Sequence, residues 1–414
     1  MVRVVFIAPF NMTATARFIS AVAELPEVQL GLITQEASDS LPVELRQRLA
    51  AHYRVADALD VQQLAPAVAS VGKQLGGIDR ILGTLEQWQV QLGQLRDHFG
   101  VEGIGESVAR NFRDKARMKD VLRDAGVPCA RHKRLNSAAE GWVFARDIGF
   151  PMIVKPPDAA AAKGTFRVTD AHTLEEALRA LRPSPDHPAV AEEFVTGLER
   201  SFETVSIRGR AVWDSSTRYN PAPLHVLENP WIQWTVLLPR EAETSDTQAV
   251  RPYAHAALEA LGMRTGISHM EWFRRDRADT GPVAISEVGA RPPGAQIMSI
   301  NSYAHDVDFY RLWARLVVHE AFDPPRRKFA AGAAFFRGQG GDPRTVRRVI
   351  KIHGLEQAQK ELGPLVVEAK LPQLGQARAE SYEGEGYAIL RHPDTEVVER
   401  ALARLVALVR VELG

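Results

Sequence analysis

The run Ser268-His269-Met270-Glu271-Trp272-Phe273, followed shortly by Val283-Ala284-Ile285-Ser286-Glu287-Val288-Gly289-Ala290-Arg291, is the part of the chain whose reading decides the fold. Both segments read as strands. Side chains alternate between faces in an extended chain, so His269, Glu271 and Phe273 share one face and Met270 and Trp272 the other. In the second run Val283, Ile285 and Glu287 share a face, which sets a charge at the end of an apolar row. Burying an unpaired carboxylate is costly, so Glu287 calls for a cation: Arg291, a metal, or solvent at the strand end. Two carboxylates on neighbouring strands suit Mg²⁺, which takes one or two such ligands and fills its shell with phosphates and water. The plain alternative is an exposed strand end or a structural Glu287–Arg291 pair.

Upstream, Lys155 closes the apolar run Pro151-Met152-Ile153-Val154 ahead of Pro156 and Pro157, which places an ammonium at a fixed strand end, where it can serve a phosphate or simply face solvent. Lys115 stands in the first turn of a helix that Asp114 can cap, with Met118, Val121, Leu122 and Ala125 on its apolar face and Gly126 and Pro128 as stop signals. The segment Ala191-Glu192-Glu193-Phe194-Val195-Thr196-Gly197-Leu198-Glu199 sets three carboxylates around a strand ending in a glycine turn. Such a strand can offer Glu192 and backbone groups to an adenine edge and Glu199 to ribose hydroxyls, or be a solvated acidic edge.

Further out, Val2 to Ala8, Val28 to Ile33 and Ile78 to Leu82 are short apolar runs separated by helical segments, the pattern of an open parallel α/β layer. The first turn, Ala8-Pro9-Phe10-Asn11, lacks glycine, which argues against a dinucleotide site and an NAD-dependent oxidoreductase. Between Pro151 and Val288 short strands alternate with a long helix carrying Leu174, Ala177, Leu178 and Leu181, an α+β layer. After Asp323-Pro324-Pro325 come Ala330 to Arg337, Gly386 to Leu390 and an amphipathic helix from Thr395 to about Val409, a small third unit.

The 414 residues suggest roughly two to four compact units. Apolar residues at 45% and charged residues at 25% are ordinary globular usage, which excludes disorder. The 51 basic and 51 acidic side chains cancel, so no global field draws a polyanion and nucleic acid is not an expected partner. The single cysteine, Cys129, can form neither an internal disulfide nor a multi-cysteine metal site; it fits a reducing compartment, and with no signal-like or membrane-length run the chain reads as cytoplasmic.

Taken in order, RDKARMKDVLRDAGVP from Arg113, GFPMIVKPP from Gly149, AEEFVTGLE from Ala191, HMEWF from His269 and SEVGARPPG from Ser286 resemble the ATP-grasp superfamily over about 180 residues. DRILGTLEQWQVQLGQLRDHFGVEG from Asp79 looks like the end of that family's N-terminal domain. YEGEGYAILRHPDTEVVERAL from Tyr382 looks like the C-terminal subdomain of its biotin-carboxylase and amino-acid-ligase branch. The resemblance implies an α/β and α+β chain with the ATP-grasp fold: an N-terminal open parallel domain over 1–110, an ATP-grasp domain over 111–325 (lid about 128–200, nucleotide and metal site 201–325) and a C-terminal subdomain over 326–414 that completes it.

Residue by residue, the resemblance implies that Lys115 and Lys155 hold ATP phosphates, that Glu192 with the Phe194 and Val195 backbone forms the adenine hinge, and that Glu199 binds ribose. Glu271 and Glu287 match magnesium ligands, with Mn²⁺ as an alternative ion; Arg291 matches the arginine that steadies an acyl phosphate or a substrate carboxylate, and His269 assists there or is a satisfied strand histidine. Two positions depart from the family pattern. The phosphate loop reads PPDAAAAKG, with alanines over 159–162 in place of most glycines and Lys163 to compensate by charge, and Gly289 stands where a metal-binding asparagine is usual.

The implied activity is ATP-dependent ligation of a small carboxylate to an amine through an acyl phosphate, in the cytoplasm, with a homodimer left open. A biotin-carboxylase-like carboxylase and a silent ATP-binding scaffold are the alternatives. Trp231, Trp234 and His225, in RYNPAPLHVLENPWIQWTVLLP from Arg218, are candidates for the acceptor pocket or for core or dimer contacts, and Phe10 and Asn11 for a contribution from the first turn.

Overall fold

The computed structural model describes residues 1–9, 13–158, 164–276, 281–340 and 347–414, with the side chains of 13 and 14 left out. Phe10, Asn11, Lys163 and the alanines over 159–162 lie outside the described residues. The N-terminal layer is a sheet of four parallel strands in the order Leu49–Arg54, Val28–Thr34, Val2–Ile7, Arg80–Leu82. Its middle strands are apolar because both faces are covered. Val5, Ile7 and Ile33 pack on the helix Val61–Leu75, while Val4, Phe6 and Leu32 pack on Phe18 and Val22 of Thr13–Ala23 and on Trp313 and Leu316 of Phe309–His319. One of its covering helices thus comes from residues more than two hundred positions away.

A second, antiparallel sheet has the order His132–Leu135, Ala189–Glu193, Met152–Lys155, Phe166–Val168. Two helices, Ala138–Ile148 and Ala171–Leu181, cover one face, burying Met152, Val154 and Ala191 against Phe144, Leu174 and Leu178. Alternation turns Ile153, Lys155 and Glu192 to the uncovered face, and these residues line a cavity.

That cavity opens against a nine-stranded sheet, ordered Val283–Gly289, Gly266–Arg275, Gly197–Ile207, Arg218–Asn220, Trp234–Leu238, Ala330–Phe336, Gly386–His392, Val366–Lys370, with Arg210–Ser215 also paired to Gly197–Ile207. The three strands beyond Pro325 extend this sheet instead of founding a layer of their own; on one face the small side chains of Ala330, Gly332 and Ala334 let the helix Thr395–Leu408 approach closely, with Leu402 against Gly332. What stands apart is a three-stranded sheet of Gly338–Gln339, Arg410–Leu413 and Val349–His353. The strand Leu49–Arg54 escaped the sequence reading because LAAHYR has no β-branched residue.

Gly197 has φ +147°, and a Cβ there would lie 2.1 Å from the Arg274 carbonyl oxygen. Neither the dihedral nor the contact tolerates a side chain. Gly197→Ala should lower the unfolding free energy by about 2–4 kcal/mol in urea titration; a loss under about 0.5 kcal/mol would show that the two strands can separate there at little cost.

Candidate functional site

The cavity has a volume of about 670 Å³ and takes its walls from all three parts: Thr84 to Gln87 of the N-terminal layer, Lys155, Glu192 and Glu193 of the small sheet with the segment Phe194 to Thr196 that leaves it, and Gly197, Glu271, Glu287 and Arg291 on the side of the large one. Met270 and Trp272 are buried in the core beneath, so the alternation read from HMEWF holds and His269, Glu271 and Phe273 face the cavity.

The alternation read for the next strand does not hold to its end. Trp272 pairs with Ile285 but Glu271 pairs with Glu287, so Ser286 is an extra residue, a bulge. It reverses the alternation: Val283, Ile285 and Val288 enter the core together, and Glu287 turns away from the apolar row to stand across from Glu271. The cation that Glu287 finds is Lys115, at 3.0 Å, and not Arg291. Burial works against its charge, but Lys115 and Lys155 outweigh burial and hold its carboxyl down to about 2.

Lys115 begins the helix Lys115–Asp124, whose first turn Asp114 caps at the Ala116 and Arg117 amides. One turn on, Lys119 is fully buried, 3.4 Å from Glu192, and donates to the Ser286 carbonyl. Burial pushes its ammonium down. Sequence reasoning passed over Lys119; the signal was a lysine four residues after Lys115 and next to Met118, on the buried stripe. Lys155 reaches the other oxygen of Glu192 at 3.0 Å; burial opposes its charge, yet Glu192 and Glu287 raise it. Glu192 is therefore an interior counter-ion to two lysines, and its carboxyl is held below the ordinary range by them despite burial.

Past Glu192 the chain runs along the cavity wall through Phe194 and Val195, and the Arg167 guanidinium sits 4.5 Å from the centre of the Phe194 ring. Glu199, opposite Phe273 in the next strand, is buried. Burial first, then the charges of Glu271 and Glu287, raise its carboxyl well above the ordinary value.

Arg291 turns to Glu86, with Nη2 2.5 Å and Nε 3.1 Å from one carboxylate oxygen, while Arg113 takes the other at 2.6 Å and also donates to the Asp158 carbonyl. Burial opposes the Arg291 charge, but Glu86 raises it. Glu86 lies in the stretch from Asp79 quoted above, yet nothing in its local pattern marks it. His269 donates through Nδ1 to the Glu203 carboxylate at 2.9 Å, with Nε2 3.9 Å from Glu271; burial opposes the charge, but these two carboxylates push the imidazole up to about 9, which favours the cation. Of the aromatic candidates, Trp234 and His225 line the cavity, with Trp234 donating to the Tyr382 carbonyl at 2.8 Å, whereas Trp231 is 55% exposed and lies off it. Tyr382 and Glu383, which begin the C-terminal stretch quoted above but were not singled out as site residues, also line the cavity.

Among the described residues no three carboxylate, imidazole or thiolate groups converge to hold a metal by themselves. No helix among them is long and apolar enough to cross a membrane.

Comparison with known proteins accords with this architecture. Residues 120–304 match the model of the ATP-grasp domain. An alanine–anticapsin ligase of Bacillus subtilis is 26% identical over 219 residues, 48% of this chain and 46% of that protein, so the chain spans about half the length of that curated relative. Among solved structures, an L-amino acid ligase from Bacillus licheniformis superposes with a TM-score of 0.78 at 19% identity over 99% of this chain and 98% of that one. An N5-carboxyaminoimidazole ribonucleotide synthetase from Thermotoga maritima superposes with a TM-score of 0.70 at 17% identity over 100% and 99%. These two likenesses bear on fold, and the fold expected from the five motifs is the one observed. The chain carries an ATP-grasp domain, matched over residues 120–304.

Proposed function

We propose that this protein is an ATP-dependent carboxylate–amine ligase acting on small molecules. The observation that carries the reading is the convergence, in one cavity, of two lysines, two opposed carboxylates and an arginine: Lys115, Lys155, Glu271, Glu287 and Arg291. A divalent ion fits this donor set. Glu271 and Glu287 face one another across paired strands, and burial together with their charges pushes the Glu199 carboxyl beside them well above its ordinary value, which marks a place where added positive charge is favourable; two carboxylates suit an ion whose shell is completed by phosphate and water. Such an ion supplies charge neutralisation on the phosphates.

The chain's own groups do the rest. Lys115 and Lys155 are preset by Glu287 and Glu192 to meet phosphate oxygens, so little reorganisation is needed when the nucleotide arrives. The Phe194–Val195 segment is placed for the adenine, Glu199 for the ribose. A substrate carboxylate oxygen then attacks the γ-phosphorus, the bond to ADP breaks, and the resulting acyl phosphate has its negative charge met by Arg291 and by the imidazolium of His269. The amine nitrogen attacks the acyl carbon, phosphate leaves, and the amine gives up a proton as the amide forms. Trp234 and Tyr382 bound the acceptor end, which favours a substrate with an apolar or aromatic part.

The test is magnesium- and ATP-dependent phosphate release against pools of amino acids and small carboxylic acids. Release that requires both a carboxylate and an amine supports the ligase. Release with bicarbonate alone would favour a carboxylase, and tight nucleotide binding without release in any pool a non-catalytic scaffold. Lys155→Ala should weaken binding of a non-hydrolysable ATP analogue by about 10- to 100-fold in calorimetry, the loss of one charge-assisted phosphate contact. Unchanged affinity would remove Lys155 from the phosphate site.

A further inference from the structure

The nine-stranded sheet carries a second cavity, of about 340 Å³, beneath the helix Thr395–Leu408. Arg200 and Arg218 line it. They follow and precede residues of the first cavity, Glu199 and Tyr219, so alternation turns them to the opposite face of the sheet.

The two arginines are direct cross-strand partners. Like charges directly opposed on one face destabilise a strand pair unless an anion lies between them. Little negative charge is at hand. Asp246 stands 3.5 Å from Arg200 Nε and is also bound by Arg274, so one carboxylate serves two guanidinium groups. Glu241 is near enough to feel Arg218, but its carboxylate accepts from Thr395 at 2.6 Å. Glu399 sits at the exposed rim. Arg200 donates through Nη1 to its neighbour's carbonyl at 3.3 Å, while its buried Nε has only the Asp246 carboxylate, at the long distance of 3.5 Å. Arg218 has no hydrogen-bonded or ion-paired side-chain partner among the described residues. A buried donor so weakly engaged costs free energy, and Arg200 lines the cavity together with a second guanidinium, that of Arg218.

We propose that this far-face cavity is a binding site for a small oxyanion, a phosphate or carboxylate group held between Arg200 and Arg218. Planar guanidinium groups offer paired N–H donors that match both kinds of oxyanion. The volume lies at the small end of ligand pockets and has room for a phosphate or a short dicarboxylate. The site is separate from the proposed ligase chemistry and stands or falls independently of it.

Calorimetry on the full chain tests it, with the first cavity saturated by magnesium and a non-hydrolysable ATP analogue, and with inorganic phosphate and malonate titrated separately. At least one probe should bind, and Arg218→Gln should weaken it by about tenfold or more, since one of two charged donors is gone. Arg218→Gln should keep or raise its thermal midpoint, because Arg218 has no hydrogen-bonded or ion-paired side-chain partner among the described residues and stands opposite a like charge. Ala403→Glu, which sets a carboxylate at the exposed rim beside the arginines, should abolish binding and decides the matter where Arg218→Gln folds poorly. Binding of phosphate alone points to a phosphoryl ligand, of malonate alone to a carboxylate ligand, and of both to an unselective oxyanion site. Binding of neither probe, or equal affinity in wild type and Ala403→Glu, overturns the proposal.

Discussion

Glu287→Gln should reduce turnover by a factor of about 10² to 10³ or more while the protein stays folded. The two effects separate because of what Glu287 touches. Its partner is Lys115, at 3.0 Å, and the amide oxygen of glutamine can still accept that hydrogen bond. The strand pairing with Glu271 is backbone and is unaffected. What is lost is the negative charge, which is held in place by two lysines and is present at any pH above about 2. Removing one charged group from a site where phosphoryl charge develops is worth about 3–4 kcal/mol, hence the expected factor. The measurement is phosphate release per folded molecule, with the folded fraction taken from urea titration. Normal activity with magnesium would remove Glu287 from the metal site; loss of activity in step with loss of folded protein would make its role structural.

Lys119→Met should have the larger effect on stability, about 3 kcal/mol in urea titration. A buried ion pair contributes little relative to a well-packed apolar pair, but deleting one partner strands the other. Here Glu192 would keep Lys155 alone, and the Ser286 carbonyl would lose its donor. Ser286 is the bulge that turns Glu287 towards Glu271, so the loss should also loosen that carboxylate and weaken binding of a magnesium–nucleotide complex. A destabilisation below about 1 kcal/mol would mean that Lys155 alone satisfies Glu192 and that Lys119 is replaceable packing.

Legibility in the sequence followed from how local each determinant was. The period-2 face of His269, Glu271 and Phe273, the Asp114 cap and the helix near Leu174 depend on neighbours a few residues away, and each was readable. The Ser286 bulge was not: an extra residue exists only relative to a partner strand, and no single strand announces it. Partners of charge were equally hidden. Glu287 was read beside Arg291, four residues on, yet it pairs with Lys115, 172 positions away. Trp231 and Trp234 looked alike in sequence, but only Trp234 is in a strand whose face meets the cavity.

Glu86 has one oxygen on Arg113 and the other on Arg291, so a residue of the N-terminal layer is the counter-ion for two arginines, one of which, Arg291, lines the cavity. The consequence is for modularity. A hybrid made by grafting a relative's N-terminal segment onto residues 111–414 would leave two buried guanidinium groups without their anion unless the donor segment brought a carboxylate to the same place. Beyond the packing on the helix Phe309–His319, the N-terminal layer is thus tied by the charge of one side chain to the residues around which the chemistry is proposed to occur. Recombination of these parts should succeed only at crossovers that inherit Glu86 together with Arg113 and Arg291.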